Sequence, residues 1–202
     1  MSIEIYYIFA RTFKNSQAPR HLYCLPVCGT MSTWVIYTFR GGIRINVNLS
    51  KVIIRAATEN DVDSLVGVVK RYREFQGVTV QDIYEIRDFF SERIKKLESI
   101  ILIAISEVSG AIIGFVQLYP VFSTVSLLKQ WLLNDFYVLE DERSKGIGSA
   151  LMDAVKEYFR GAAKGFILVT HKTNTGAKRF YDKHGWKTNV FDFYTFVYDS
   201  NI

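Results

Sequence analysis

From residue 52 onward, short apolar runs of strand length alternate with stretches in which apolar residues recur at the spacing of three and four that is typical of helices. Leu65, Val68, Val69 and Tyr72, for example, recur at helical spacing. The pattern predicts strands at 52–55, 100–106, 111–119, 131–138, 166–170 and 191–198, and helices at 58–75, 80–97, 146–159 and 173–183. The order βααβββαβαβ predicts one α/β domain, with helices flanking a mixed, mostly antiparallel central sheet.

The first 50 residues lack this regularity, because prolines and glycines break them into short pieces without a sustained period. We therefore expect the folded domain to cover residues 51–202 and treat residues 1–50 as a separate segment. Two hypotheses stay open for it: it lies upstream of the native start of translation, or it is an accessory segment that covers a sheet edge. Detection of its peptides in native protein by mass spectrometry would exclude the first.

Composition excludes several classes of protein. The chain has 202 residues, of which 49% are apolar and 15% aromatic, enough for one domain with a sizeable core. Its net charge of +5 divides into +4 for residues 1–50, with five basic residues and one acid, and +1 for the rest. Because the body is nearly neutral, we do not expect a nucleic-acid partner. No apolar run reaches the length of a membrane helix, so we expect a cytoplasmic protein with no membrane partner.

Both cysteines, Cys24 and Cys28, lie in the N-terminal segment, and His21 is the only histidine near them. A structural zinc site needs four ligands, and the other two histidines lie far along the chain without a matching spacing. The sequence therefore predicts free thiols and no metal.

One glycine-rich loop carries the most specific chemical signal. Residues 143–149 read RSKGIGS and lie between a predicted strand and a strongly periodic helix. Glycines at such a junction let backbone N–H groups approach a ligand, and the helix N-terminus favours negative charge, so the loop suits a pyrophosphate. The third glycine of a dinucleotide-binding fingerprint and the lysine pattern of a phosphate-binding loop of nucleotide hydrolases are both absent.

Four stretches in order resemble the GCN5-related N-acetyltransferases. They are DFYV at 135–138, RSKGIG at 143–148, Asn174, and RFYDKHGW at 179–186. The likeness spans residues 52–198. Within the family, NDFYV at 134–138 is similar to the EDFFV stretch of the spermidine/spermine and thialysine acetyltransferases. The resemblance implies an N-acetyltransferase that uses acetyl-CoA as cosubstrate.

The resemblance also implies which residues contact acetyl-CoA. The loop backbone would bind the pyrophosphate, the strand end at 136–138 would pair with the pantetheine arm, and the next helix would hold the thioester end. These cofactor-binding candidates are Phe136, Tyr137, Val138, Arg143, Ser144, Lys145, Gly146, Ile147, Gly148, Ser149, Asn174 and Ala177.

Acetyl transfer to an amine needs a neutral amine, a stabiliser for the oxyanion and an acid for the departing thiolate. The resemblance assigns the acid to Tyr181, whose phenol is protonated at neutral pH. Asp135 is the candidate base, although it could instead be a polar group that merely ends a strand. Asn134 stands where the subgroup has a proton-handling carboxylate, and an amide cannot take that proton, so either Asp135 or an ordered water chain would accept it. Glu74, Glu107, Glu140 and Glu142 are weaker candidates.

The favoured acceptor is a primary amine of a small molecule, acetylated directly in a ternary complex. A protein lysine or N-terminus as acceptor, and a binding module without catalysis, stay open. Residues 71–81 and 119–130 are expected to select the acceptor, and Tyr84, Tyr119, Phe122 and Trp131 are aromatic candidates for its pocket, although core packing explains most such residues. The flat, aromatic segment 190–198 could pair with a second copy, so we expect a homodimer.

Overall fold

The computed structural model describes residues 35–37, 43–45, 51–188 and 194–195. They belong to two compact units, which divide between Leu168 and Val169. The first unit contains β1 (Val35–Tyr37), β2 (Ile43–Ile45), β3 (Val52–Ala56), α1 (Val62–Phe75), α2 (Ile83–Lys95), β4 (Ile100–Ser106), β5 (Ile112–Ser123), β6 (Leu128–Val138), α3 (Ile147–Tyr158) and β7 (Phe166–Leu168). The second contains α4 (Thr175–Lys183).

The strands of the first unit form a sheet whose spatial order is the order of the chain, from β1 to β7. Neighbouring strands are antiparallel except for β6 and β7, which run parallel. Strands β3 to β7 form the five-stranded body of the sheet, and β2 adds to its edge by pairing with β3 at Ile45 and Ile54. The predicted mixed, mostly antiparallel sheet is therefore confirmed.

Helices cover both faces of this sheet. The apolar residues of α1 and α2, among them Leu65 and Phe90, form one core with Ile101, Ile103 and Phe115 of the sheet. Residues of a strand point alternately to opposite faces, and Leu102 and Ala104, which alternate with Ile101 and Ile103 on β4, are buried as well. Helix α3 packs against β3, β4 and β5, so the central strands are enclosed on both sides.

An ion pair fixes the start of α1 to the sheet. Arg55 of β3 donates two hydrogen bonds to the carboxylate of Asp61, at 2.7 and 2.6 Å, and Thr58 adds its backbone N–H and its hydroxyl, each at 2.8 Å. Burial alone would raise the pKa of Asp61, but the hydrogen bonds from Arg55 and Thr58 outweigh it and hold that pKa below its ordinary value.

The predicted elements and the described ones differ mainly at one hairpin and at the C-terminus. The predicted loop at 119–130 is mostly strand, because β5 continues to Ser123 and β6 begins at Leu128. The β-branched and aromatic residues there suit a strand, and the ladder continues through Pro120, which pairs with Trp131. Apart from residues 194 and 195, which form no strand, the predicted strand at 191–198 lies outside the described residues.

Candidate active site

A β-bulge in β6 turns Asp135 toward α1 and α2. Asp135 pairs with Gln117 of β5, whereas the next pair along is Leu133 with Leu118, so Asn134 is an extra residue on β6. In a regular strand Asp135 would share the face of Leu133, because residues two apart point the same way. The extra residue instead places Asp135 on the same face as Gln117.

The two neighbours of β6 pair with it over different lengths. The ladder with β5 continues to Val138, whereas the parallel ladder with β7 covers only 131–133 and ends at Leu133 and Leu168. The residues from Asp135 to Val138 therefore lie beyond the pairing with β7. An extended ligand could add a strand at such a place.

The N-terminus of α3 has the features of an anion site. Its N-cap, Gly146, has a φ of 86°, a left-handed conformation that favours glycine, and no side chain caps the helix. The first turn holds no acidic residue. Since the first N–H groups of a helix have no intrahelical acceptor, they and the helix dipole suit a phosphate oxygen.

The two basic side chains of the loop interact with the protein itself. Arg143 donates from Nε to the carbonyl of Val138 at 3.0 Å, and its guanidinium lies 4.9 Å from the ring centre of Phe75 and 5.3 Å from that of Tyr137. The ammonium of Lys145 is 3.1 Å from a carboxylate oxygen of Glu142. Arg143 therefore ties the loop to the end of β6 and to α1.

These features fit acetyl-CoA, which presents a pyrophosphate and an extended pantetheine arm. The uncapped N-terminus of α3 fits the first, and the end of β6 beyond its pairing with β7 fits the second. The predicted residues of the first unit, 136–138 and 143–149, therefore lie on the two elements that have these properties.

A cavity of about 300 Å³ opens between α1, α2 and the strands β5 and β6. Its wall is mainly aromatic and apolar, with a few polar groups. It comprises Val69, Tyr72, Arg73, Glu85, Ile86, Phe89, Phe90, Phe115, Gln117, Tyr119, Asn134 and Asp135. Such a lining, with few polar groups, is typical of a pocket for a small organic molecule.

Both carboxylate oxygens of Asp135 are held by neighbours in this cavity. The hydroxyl of Tyr72 donates to Oδ1 at 3.0 Å, and the side-chain amide of Asn134 donates to Oδ2 at 3.0 Å. The carboxylate also acts on Tyr119, whose pKa is raised first by burial and then by the charge of Asp135. Asp135 is thus an oriented carboxylate on the wall of a largely aromatic cavity.

The second unit carries the remaining predicted residues. Asn174 precedes α4, and its side-chain oxygen accepts a hydrogen bond from the backbone N–H of Ala177 at 3.0 Å, as an N-cap does. Tyr181 is half-buried, and its ring centre lies 5.6 Å from that of Phe180 and 5.8 Å from that of Trp186. Burial raises the pKa of Tyr181, so its phenol is protonated at neutral pH.

Of the four aromatic pocket candidates, only Tyr119 lines the cavity. Trp131 is buried against Phe159, with ring centres 4.4 Å apart. Tyr84 and Phe122 are largely exposed and lie outside the cavity wall, which corrects the expectation for them. None of the weaker base candidates, Glu74, Glu107, Glu140 and Glu142, is part of that wall either.

Tyr72 and Arg73 lie in the range 71–81 that was expected to select the acceptor, without a role of their own, and Glu85 lies outside that range. Val69, Tyr72 and Arg73 are three and four residues apart, so they share one face of α1, and all three line the cavity. Tyr72 was assigned to the apolar stripe. An arginine next to that stripe was the available signal that the face is not entirely core.

The family comparison agrees with this geometry. The profile of the acetyltransferase (GNAT) family matches residues 65–186, which include both the cavity and the glycine loop. The chain belongs to this family. As a GNAT protein it is an acetyl-CoA-dependent acyltransferase, and its single α/β domain matches the fold of solved acetyltransferases.

Individual relatives support the same assignment. The chain is 37% identical over 138 residues to an uncharacterized N-acetyltransferase of Bacillus subtilis, YhfO, covering 68% of this chain and 91% of the relative. A "probable acetyltransferase" of Haemophilus influenzae is 30% identical over 102 residues, which are 50% of this chain and 68% of that one. A crystal structure also titled "probable acetyltransferase" is 31% identical, with a TM-score of 0.69 over 73% of this chain and 99% of the other.

Two general features complete the description. Among the residues that the structure describes, no helix has both the length and the apolar character needed to cross a membrane. Within the same part of the chain, no group of three or more His, Cys, Asp or Glu side chains is arranged to hold a metal ion. His21, Cys24 and Cys28 lie outside the described residues.

Proposed function

We propose that this GNAT acetyltransferase transfers the acetyl group of acetyl-CoA to a primary amine of a small molecule, directly and in a ternary complex. The observation that carries the proposal is the oriented carboxylate of Asp135 on the wall of the aromatic cavity. A carboxylate there attracts a cationic amine, and aromatic faces favour the same charge. The volume of about 300 Å³ lies at the lower end for small-molecule pockets, which suits a small acceptor.

The cofactor residues keep the roles that the sequence suggested, as proposals. The backbone of 143–149 would bind the pyrophosphate, and the strand end at 136–138 would pair with the pantetheine arm. Asn174 and Ala177 would contact its thioester end. When bound, acetyl-CoA supplies a thioester whose carbonyl carbon is the electrophile.

Two residues would move protons. The carboxylate of Asp135, directly or through a water, would accept the proton that the acceptor ammonium must lose before its nitrogen can form the new amide bond. The hydroxyl of Tyr181 would donate a proton to the sulfur that leaves as the carbon–sulfur bond breaks. The phenol is protonated at neutral pH, as this role requires.

Three finer questions belong to the same proposal. The stretch NDFYV is similar to the corresponding stretch of relatives that act on polyamines or thialysine. Asn134, however, stands in place of their carboxylate. A protein lysine or N-terminus would need a groove, whereas the described cavity is compact. A binding module without turnover would have no use for the oriented Asp135 or for a protonated Tyr181.

The direct test is thermal unfolding with and without acetyl-CoA, followed by thiol release on the same sample with a panel of diamines, polyamines, amino acids and peptides. We expect acetyl-CoA to raise the melting temperature by mass action and one class of small amine to release thiol. Release with peptides alone would favour a protein acceptor. A thermal shift without release from any amine would contradict catalysis.

A Tyr181→Phe variant tests the acid. We expect kcat to fall by about 10²- to 10⁴-fold, the usual contribution of a general acid, while acetyl-CoA still raises the melting temperature. Tyr158→Phe is the matched control, because burial also raises the pKa of Tyr158 but the residue lies outside the proposed site. Unchanged turnover in Tyr181→Phe would remove the residue from its role.

The domain boundary, the oligomeric state and the cellular location of the protein stay predictions. We propose that residues 51–202 form the catalytic domain and that it works as a homodimer in the cytoplasm. Most of the segment proposed to pair, 190–198, lies outside the described residues. Light scattering coupled to size-exclusion chromatography tests the dimer, and mass spectrometry of native protein tests the status of residues 1–50.

A further inference from the structure

Arg73 presents a charge to the cavity that the described protein does not neutralise. Its side chain lines the wall, and its Nε is buried with no hydrogen-bond acceptor among the described residues. None of the ion pairs found in that part of the chain includes Arg73. Because no described residue forms an ion pair with its guanidinium, Arg73 can bind an anionic group of a ligand in the cavity.

The charges of the wall define what that ligand carries. Arg73 and Asp135 contribute one charge of each sign. The third charged residue, Glu85, is exposed in the first turn of α2. There the helix dipole stabilises its carboxylate and solvent screens its charge. Without Glu85 the wall holds one cation and one anion. A molecule with one ammonium and one anionic group therefore matches the charges of Asp135 and Arg73.

We propose that the acceptor is an amino carboxylic acid, with its amine at Asp135 and its carboxylate at Arg73. This inference rests on the proposed function, because it assigns the acceptor class of the same site. Arg73 and Asp135 line the same cavity of about 300 Å³, so one small molecule bound there can contact both. The planar guanidinium binds a carboxylate through two parallel hydrogen bonds.

The same contacts disfavour a polyamine. A polyamine would leave the guanidinium of Arg73 without an anionic partner and would place a second cation in a cavity that already holds one. A doubly charged phosphate is a weaker match than a carboxylate, because the carboxylate of Asp135 lines the same wall. The aromatic residues between the charges, such as Phe89 and Phe115, would contact the apolar part of the acid.

The test uses a series of amino acids with increasing distance between amine and carboxylate, each paired with its own carboxamide. The amide keeps the amine and the carbon chain but loses the negative charge. For the best-fitting acid we expect kcat/KM, measured by thiol release, to exceed that of its amide by about 10- to 100-fold, the range for hydrogen bonds to a charged group. The same acid should raise the melting temperature more than its amide, without acetyl-CoA.

Three variants identify the residue responsible. Arg73→Met should bring the ratio of acid to amide close to one, and Arg73→Lys should give an intermediate ratio, because it keeps the charge but loses the planar fork. Lys70→Met should keep the wild-type ratio, since Lys70 is exposed on the same helix and outside the cavity wall. Thermal unfolding verifies that each variant is folded.

The outcomes separate this inference from the proposed function. Equal activity with acids and amides, or a preference that survives Arg73→Met, would overturn the inference and leave the acetyltransferase proposal intact. An Arg73-dependent thermal shift with acids but no thiol release from any amine would support the binding site and contradict the proposed reaction.

Discussion

The glycine loop and the cavity are built in opposite ways. The loop at 143–149 offers backbone N–H groups at the start of α3, and its two basic side chains contact the protein itself. The cavity is lined by side chains from α1, α2, β5 and β6, which lie up to 66 positions apart from Val69 to Asp135. In the proposed function the backbone site would hold acetyl-CoA, which is common to the family, whereas a side-chain site can change its ligand through single substitutions.

This difference predicts that the two regions can be damaged separately. Variants of the cavity should alter turnover and the choice of amine while acetyl-CoA still binds. Variants of the loop should weaken acetyl-CoA binding with less effect on which amine is preferred.

The largest effect is expected from Asp135→Asn. The amide keeps the size of the side chain but cannot take a proton, so kcat/KM for the amine should fall by about 10²- to 10⁴-fold. The acetyl-CoA-induced rise in melting temperature should stay as in wild type. Asp88→Asn, an exposed change on α2, is the control. If Asp135→Asn kept full activity, the carboxylate would be only a polar group at a strand irregularity.

A smaller effect, limited to the binding of acetyl-CoA, is expected from Gly146→Val. A β-branched residue at a φ of 86° is strained by about 1–2 kcal/mol or more, so the loop should leave its binding conformation. The Kd for acetyl-CoA, measured by calorimetry, should rise by about tenfold or more. Gly67→Ala, in an open position on α1, should leave that Kd unchanged. Wild-type affinity in Gly146→Val would contradict a backbone-built cofactor site.

Tyr72→Phe tests whether the hydroxyl of Tyr72 orients Asp135 in the cavity. It removes the hydroxyl that donates to Asp135 at 3.0 Å but keeps the ring, which packs on Phe115 and Tyr137. We expect kcat to fall by about tenfold with KM for the amine nearly unchanged, because the Tyr72 hydroxyl orients the carboxylate of Asp135. A stability loss with an unchanged kcat would give Tyr72 a packing role only.

The smallest effect on catalysis is expected from the anchor of α1. Asp61→Asn should lower the free energy of unfolding by about 2 kcal/mol, because it breaks a largely buried ion pair with Arg55. The folded pKa of Asp61 lies below the unfolded value of about 3.9, so the unfolded chain binds more protons as pH falls below about 4. Wild-type stability should therefore decrease in that range. Denaturant titrations of Asp61→Asn should show a weaker pH dependence.

The sequence predicted what depends on local pattern. Helical spacing located α1 and α3, a continuous apolar run of strand length located β4, and the glycine spacing at 146 and 148 located the loop. Such features arise from residues close together in the chain.

The cavity could not be predicted in the same way. Asp135 faces it because Asn134 is an extra residue in β6, and a bulge leaves no clear mark in the alternation. Tyr72 meets Asp135 across 63 positions of the chain, and the apolar pattern of α1 gives no reason to expect that contact. Strands β5 and β6 are longer than predicted because the C-terminal end of β5 pairs with the N-terminal end of β6. The residue propensities of a single strand do not show such pairing.

A crystal structure with coenzyme A and the best amine from the panel tests the central claim most directly. We predict the amine nitrogen within hydrogen-bond distance of Asp135, directly or through one water, and the pyrophosphate at the first N–H groups of α3. An amine bound outside the cavity wall, or a pyrophosphate away from residues 143–149, would contradict the separation of the two regions.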